Sequence, residues 1–191
     1  MEGQLIYLVG PSGSGKDSIL REVAPLLPQQ CVIMKRTITR LTSQETEEAE
    51  SVTEAEFQTQ QQQGQFALSW QANGLHYGIR ADLDQHLQTG KTVLVNGSRA
   101  HWPQVLKRYP KAILVLVKVP EALLRHRLVA RGRESLQEIQ LRLERNKYME
   151  QALERKAQLQ KTELWVIDNS GSLAEAVAQM QTKLSSLFVV S

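Results

Sequence analysis

Short unbroken apolar runs alternate along the chain with longer segments in which apolar positions recur every three or four residues. Leu5 to Val9 (LIYLV) ends at Gly10 and predicts a buried strand. A glycine-rich turn follows, and Ser18 to Leu27 then carries apolar residues at helical spacing until Pro28 stops it. Cys31 to Met34 predicts a short second strand. Thr92 to Val95 (TVLV) before Asn96-Gly97, and Ala112 to Val119 (AILVLVKV) before Pro120, predict two more. Glu121 to Arg131 reads as a helix. Leu136 to Lys161 reads as a long, highly charged helical stretch that is interrupted or bent. Leu164 to Ile167 is a last strand, and Leu173 to Leu187 a final amphipathic helix. Between these lies a polar, acidic stretch from Thr42 to Glu56, followed by the glutamines Gln60 to Gln63 and Gly64. It is expected to form a surface loop and a short helix starting near Thr53, with the glutamines on a solvated face. Apolar runs of this length alternating with helices imply a parallel sheet covered on both faces. No internal repeat is seen. The expected class is α/β, a doubly wound parallel sheet in a single domain over residues 1–191.

Composition narrows the classes of function. A chain of 191 residues with 41% apolar content can bury a core without cross-links. Cys31 is its only cysteine, which excludes an internal disulfide framework and suits a reducing compartment. The formal charge of +3 demands no nucleic-acid partner; a small polyanion would be served by a few local arginines. Met1 to Gln4 shows no basic n-region and no apolar h-region, and no run is long enough to span a bilayer. A cytoplasmic location is therefore expected, without membrane partners and with oligomeric state left open.

The strongest chemical signal follows the first strand. Gly10-Pro11-Ser12-Gly13-Ser14-Gly15-Lys16 fits the phosphate-loop pattern G-x-x-x-x-G-K. Glycines allow successive amide N–H groups to converge on phosphate oxygens, and the helix that follows aims its positive dipole end at the same anion. Lys16 would reach the β- and γ-phosphates of ATP and neutralise charge during transfer. A chance glycine-rich turn is the alternative, but an apolar strand before it and a helix after it argue for the loop. The residue after the lysine is usually Ser or Thr, whose hydroxyl ligates Mg2+. Here it is Asp17. Either Asp17 holds the metal, directly or through water, or Ser18 supplies the hydroxyl, or Asp17 is simply an acid favoured by the helix dipole.

Beyond the loop the chain resembles the guanylate kinases over nearly its whole length. The resemblance rests on Gly10 to Lys16, Ile38-Thr39-Arg40, Gly64 through Gly74 to Tyr77-Gly78, Arg127-Leu128 with Arg131-Gly132, Arg142-Leu143, and Val166 to Asn169. It implies an acceptor-binding insert at about 36–90 and a lid at about 130–150. It also implies that Arg40 and Tyr77 hold the acceptor's phosphate. Arg131 and Arg142 would contact the donor and transferring phosphates, and Asn169 would lie by the adenine.

The departures are informative. Where guanylate kinases place a guanine-reading glutamate, the segment Gly64-Gln65-Phe66-Ala67-Leu68 has Leu68. Their aspartate-rich strand end is Leu94-Val95-Asn96-Gly97-Ser98-Arg99 here, and a second phosphate-holding arginine is replaced by Ser43. A guanine acceptor is poorly served. These features, with Arg36 to Arg40, Phe66 to Trp70, Asn73 to Leu75 and Val95 to His101, resemble the ribose 1,5-bisphosphate phosphokinases, a branch associated with phosphonate breakdown. That resemblance implies γ-phosphoryl transfer from ATP to the 1-phosphate of ribose 1,5-bisphosphate, giving 5-phosphoribosyl 1-diphosphate. Arg36, Arg40, Tyr77, Asn96 and Arg99 are the expected substrate-binding residues, and Lys16, Arg131 and Arg142 the catalytic ones. An ionised phosphate acceptor needs no general base. Among the histidines, only His101, just after the Asn96 to Arg99 turn, merits a test. Three rivals remain at this stage: a guanylate-type nucleoside-monophosphate kinase, a kinase for another small sugar or acid, and a non-catalytic guanylate-kinase-like scaffold.

Overall fold

Each predicted strand and helix has a counterpart in the computed structural model, which describes residues 3–40 and 49–188. In chain order the first elements are β1 (Gln4–Val9), α1 (Lys16–Val23), β2 (Cys31–Ile33), β3 (Arg36–Thr39), β4 (Ala49–Val52) and α2 (Glu54–Gln62). Then come β5 (Phe66–Ala72), β6 (Leu75–Arg80), α3 (Asp82–Gln88), β7 (Thr92–Asn96) and α4 (Trp102–Arg108). The chain finishes with β8 (Ile113–Lys118), α5 (Glu121–Arg131), α6 (Leu136–Leu159), β9 (Leu164–Asp168) and α7 (Leu173–Ser186).

A five-stranded sheet has the order β2-β7-β1-β8-β9. β2 pairs parallel with β7, Cys31 opposite Thr92, and β8 pairs parallel with β9, Leu114 opposite Leu164. Every residue of β7, and all of β8 but Lys118, is buried, which is why these runs are continuously apolar rather than alternating. By its contacts the chain divides into two compact units, Met1–Tyr7 with Leu27–Ala112 and Leu8–Leu26 with Ile113–Ser191.

The first unit holds a separate four-stranded sheet of order β4-β3-β6-β5. β3 lies parallel to β4 and antiparallel to β6, and β5 and β6 form a hairpin. Its turn is Asn73-Gly74, with φ of 51° and 73°; two consecutive left-handed residues match the right-handed twist of the flanking strands. β4 corrects the expectation of a loop from Thr42 to Glu56. A strand forms inside that acidic stretch because Glu50 is neutralised there, accepting from Arg80 Nη2 (2.7 Å) and Thr37 Oγ1 (3.0 Å). Partial burial opposes ionisation of Glu50, but these hydrogen bonds outweigh it and hold its carboxyl below the usual range. Ser43 lies outside the described residues, as do the acids before Ala49.

In the second unit α1 packs on α7, and α5 packs on α6 through Leu124, Leu128, Ile139 and Leu143. α6 runs 24 residues without a break, so the interruption expected in this stretch is absent. Its start is set by a reciprocal cap, in which Ser135 accepts from Glu138 N–H and the Glu138 carboxylate accepts from Ser135 N–H. Thr53/Glu56 and Ser172/Glu175 start α2 and α7 in the same way. Further along α6, Glu150 and Glu154 hold Lys118 of β8 at 3.1 and 2.7 Å. At the outer strand β9, the Gln179 amide of α7 accepts from Asp168 N–H and donates to Asp168 C=O, both at 2.9 Å. Among the described residues no helix is long and apolar enough to cross a membrane.

Candidate active site

The phosphate loop is built by backbone geometry that only glycine permits cheaply. Gly13 and Gly15 have φ of 90° and 92°, and Ser14 N–H donates to Pro11 C=O at 3.0 Å to close the turn. A Cβ on Gly15 would also stand 2.4 Å from Asn169 Nδ2, and one on Gly10 would stand 2.8 Å from Ser14 Oγ. Glycine at these two positions lets Asn169 and Ser14 pack directly against the loop and hold its curvature, and a loop so curved fits the triphosphate that the motif implies. Gly15 precedes α1 without a side-chain cap, which leaves the helix's first N–H groups facing the same place.

Four side chains converge on this loop. Lys16 Nζ donates to Gly10 C=O (2.8 Å) and Pro11 C=O (3.1 Å), so the ammonium lies folded over the cradle. Asn169 is 4% exposed; its Nδ2 donates to Ser14 C=O at 2.7 Å while its own N–H donates to Lys118 C=O at 2.9 Å. Arg131 Nη1 lies 3.4 Å from Ser12 Oγ. Arg127, given no role in the sequence reading, donates from Nη1 to Gly13 C=O at 3.0 Å. The signal for it was available: it lies four residues before Arg131 and therefore on the same face of α5. Arg142 is drawn elsewhere, paired with Glu134 at 2.7 Å. Asp17 is exposed and Ser18 half-buried in the first turn of α1. Among the described residues no group of three or more His, Cys, Asp or Glu could hold a metal ion.

The substrate-binding residues expected from the sequence lie in the first unit. Arg36 of β3 has its guanidinium carbon 5.9 Å from the centre of the Tyr77 ring of β6. Tyr77 stacks on its cross-strand neighbour Trp70 at 5.6 Å and 3°, and Trp70 stacks on His101 at 5.5 Å and 26°. Trp70 is a further residue to which the sequence reading gave no role. Burial holds the His101 imidazole below the usual histidine range. Arg40 is exposed one residue beyond β3, Asn96 is buried at the end of β7, and Arg99 opens the 3-10 turn Arg99–His101. Leu68 is 4% exposed on β5, beside Ile79 of β6. A carboxylate at this position would be buried, and the chain has an aliphatic side chain instead.

A family model described as an AAA domain matches residues 5–156. The ribose 1,5-bisphosphate phosphokinase PhnN of Pseudomonas fluorescens is 49% identical over 181 residues, covering 94% of each chain. The protein of the same name from Pectobacterium parmentieri is 42% identical and covers 95% of this chain and 93% of its own. The chain belongs to the ribose 1,5-bisphosphate phosphokinase family. Azotobacter vinelandii has another member, 43% identical over 92% of both chains. Among solved structures, guanylate kinase from Anaplasma phagocytophilum superposes with a TM-score of 0.68, covering 97% of this chain and 86% of its own at 16% identity. At that identity the likeness establishes the fold, in line with the α/β P-loop kinase class expected from the sequence.

Proposed function

We propose that the protein transfers the γ-phosphoryl group of ATP to the 1-phosphate of ribose 1,5-bisphosphate, releasing ADP and 5-phosphoribosyl 1-diphosphate. The observation that carries this reading is the pairing of an intact phosphate loop with Leu68. The phosphate-loop glycines and Lys16 are in place for a triphosphate, while the side chain at the position expected to read a purine acceptor is a buried aliphatic. Membership of the family supplies the sugar bisphosphate as the acceptor that has no base to read.

The chemistry joins two anions. An oxygen of the 1-phosphate attacks the γ-phosphorus, the bond from that phosphorus to the bridging β-γ oxygen breaks, and ADP leaves with that oxygen. The attacking oxygen is already ionised near neutrality, so no proton need be removed, and catalysis reduces to positioning and charge neutralisation. Lys16 is the residue for the β- and γ-phosphates, leaving its carbonyl partners as the nucleotide enters. Arg131 already touches the loop; Arg142 would have to exchange Glu134 for phosphate. The segment at about 130–150 is proposed as the lid and about 36–90 as the acceptor-binding insert. Arg36, Arg40, Tyr77, Asn96 and Arg99 would hold the sugar phosphates, the arginines through paired donors. Magnesium, when bound, would neutralise the triphosphate, with Asp17 or Ser18 as its protein ligand. The proposed compartment is the cytoplasm.

The test is to supply ATP, Mg2+ and ribose 1,5-bisphosphate and to follow the diphosphate product by phosphorus NMR. Formation of the product with little turnover of GMP is expected. No diphosphate, together with brisk ADP release on GMP, would reverse the substrate assignment.

A further inference from the structure

Within the apolar run of β1 one side chain carries a polar atom, Tyr7, and that residue is completely buried. A buried hydroxyl is costly unless both its donor and its acceptor capacity are used. Here both are used on a single residue. Tyr7 Oη accepts from Ser98 N–H at 2.9 Å and donates to Ser98 C=O at 3.3 Å. Ser98 sits where β7 has ended and the 3-10 turn has not begun, so strand pairing does not serve its main-chain groups. Its carbonyl also accepts from His101 N–H at 3.1 Å, which makes it the anchor of the turn that carries Arg99.

The surroundings are shaped to this contact. A Cβ on Gly97 would stand 2.0 Å from Tyr7 Cζ, so glycine is required there by close approach of the ring. On another side the ring packs against Trp102, also completely buried, at 5.7 Å. Phenylalanine would fill the same volume in β1, so the hydroxyl is explained by Ser98 and not by the core.

We propose that Tyr7 is a positioning residue, whose hydroxyl fixes Ser98 and thereby sets Asn96 and Arg99, on either side of it, for the phosphates of the acceptor. This rests on the reading of Asn96 and Arg99 as acceptor contacts. Tyr7 itself touches no reacting atom. Burial pushes its own ionisation well above the usual tyrosine range, against the opposing hydrogen bond of Ser98 and the charge of Arg36, so it stays a neutral donor under all working conditions.

Tyr7→Phe removes the hydroxyl and keeps the ring. The expected result is a KM for ribose 1,5-bisphosphate raised about tenfold, with the KM for ATP changed less than about twofold. Faster amide exchange at Ser98 should accompany it. Gly97→Ala displaces the ring or the turn by another route and should give the same one-sided change. It also carries the comparison if Tyr7→Phe fails to fold. The two substitutions together should cost less than the product of their separate effects, since they break one contact. An unchanged acceptor KM in both variants, or equal rises for ATP and acceptor, overturns the positioning role. If the unmodified protein itself fails to use ribose 1,5-bisphosphate, the substrate reading is what fails; normal turnover with unmoved constants in both variants sinks only the role of Tyr7.

Discussion

The phosphate loop and the proposed acceptor side in the first unit are built by opposite means. The loop relies on main chain: Gly10, Gly13 and Gly15 let neighbouring side chains press against it, and Asn169, Arg127 and Lys16 attach to its own carbonyls. The proposed acceptor side presents side chains set along strands and turns, with Arg36, Tyr77, Trp70 and His101 in sequential contact. A site of amides reads charge and little else, because every residue offers the same N–H. A site of side chains can be retuned one position at a time, and Leu68 is the buried aliphatic on which the proposed choice of acceptor turns. On the proposed reading, the loop would supply donor recognition and the side chains of the first unit the choice of acceptor.

The largest expected effect breaks the donor side alone. Lys16→Ala should lower turnover by about a thousandfold or more in a coupled ADP-release assay, while acceptor binding by calorimetry stays unchanged. Its melting temperature should barely move, since Lys16 is not part of the core. Near-normal activity in this variant would remove the phosphate-loop assignment. Arg40→Ala breaks the other side and should raise the acceptor KM about tenfold to a hundredfold, leaving that for ATP nearly constant. Equal changes in both would mean that the two regions do not divide the labour as described.

A smaller effect sharpens the role of Asn169. Its amide supports Ser14, so Asn169→Ala should weaken ATP, GTP and inorganic tripolyphosphate alike, by about threefold to tenfold in inhibition or saturation assays. A loss confined to ATP would instead make it an adenine contact. The smallest effect concerns pH. Burial depresses the His101 pKa, so between the folded and unfolded values the unfolded chain binds more protons and stability rises with pH. The contribution is complete above about pH 6.5 and is lost as the solution is acidified through the folded value. His101→Gln should flatten the slope of melting temperature on acidification below about pH 6.5; an unaltered slope would leave the depressed histidine without a consequence.

The same contrast explains what could be read from the sequence. β1, β7, β8 and β9 stand out as apolar runs, and glycine spacing identifies the loop, because backbone demands leave residue-type signatures. The four-stranded sheet leaves weaker marks. It is only partly buried, β4 carries Glu50 in an acidic stretch, and the hairpin is announced only by Asn73-Gly74. Its charges are balanced by Arg80 and Thr37 from neighbouring strands, a compensation that needs the fold to be seen. α6 misleads in the other direction, since charge all along a helix resembles interruption until the cap at Ser135 and the ion pairs to Lys118 are placed. Arg142 stands out in the sequence as a candidate phosphate contact, but its engagement with Glu134 is visible only in the structure. Tyr7, counted as one more apolar residue in a strand, hides the hydroxyl that ties down Ser98.

The amide of Gln179 has a bearing on how the molecule keeps company with its own kind. Asp168 is the last residue of a border strand, and its outward N–H and C=O are both taken by one side chain that imitates a passing peptide group. A foreign strand zipping onto that border would meet a rung already filled and would have to break two hydrogen bonds there before forming its own. One glutamine thus works as a selvedge, finishing the weave so that it does not run on into a neighbour.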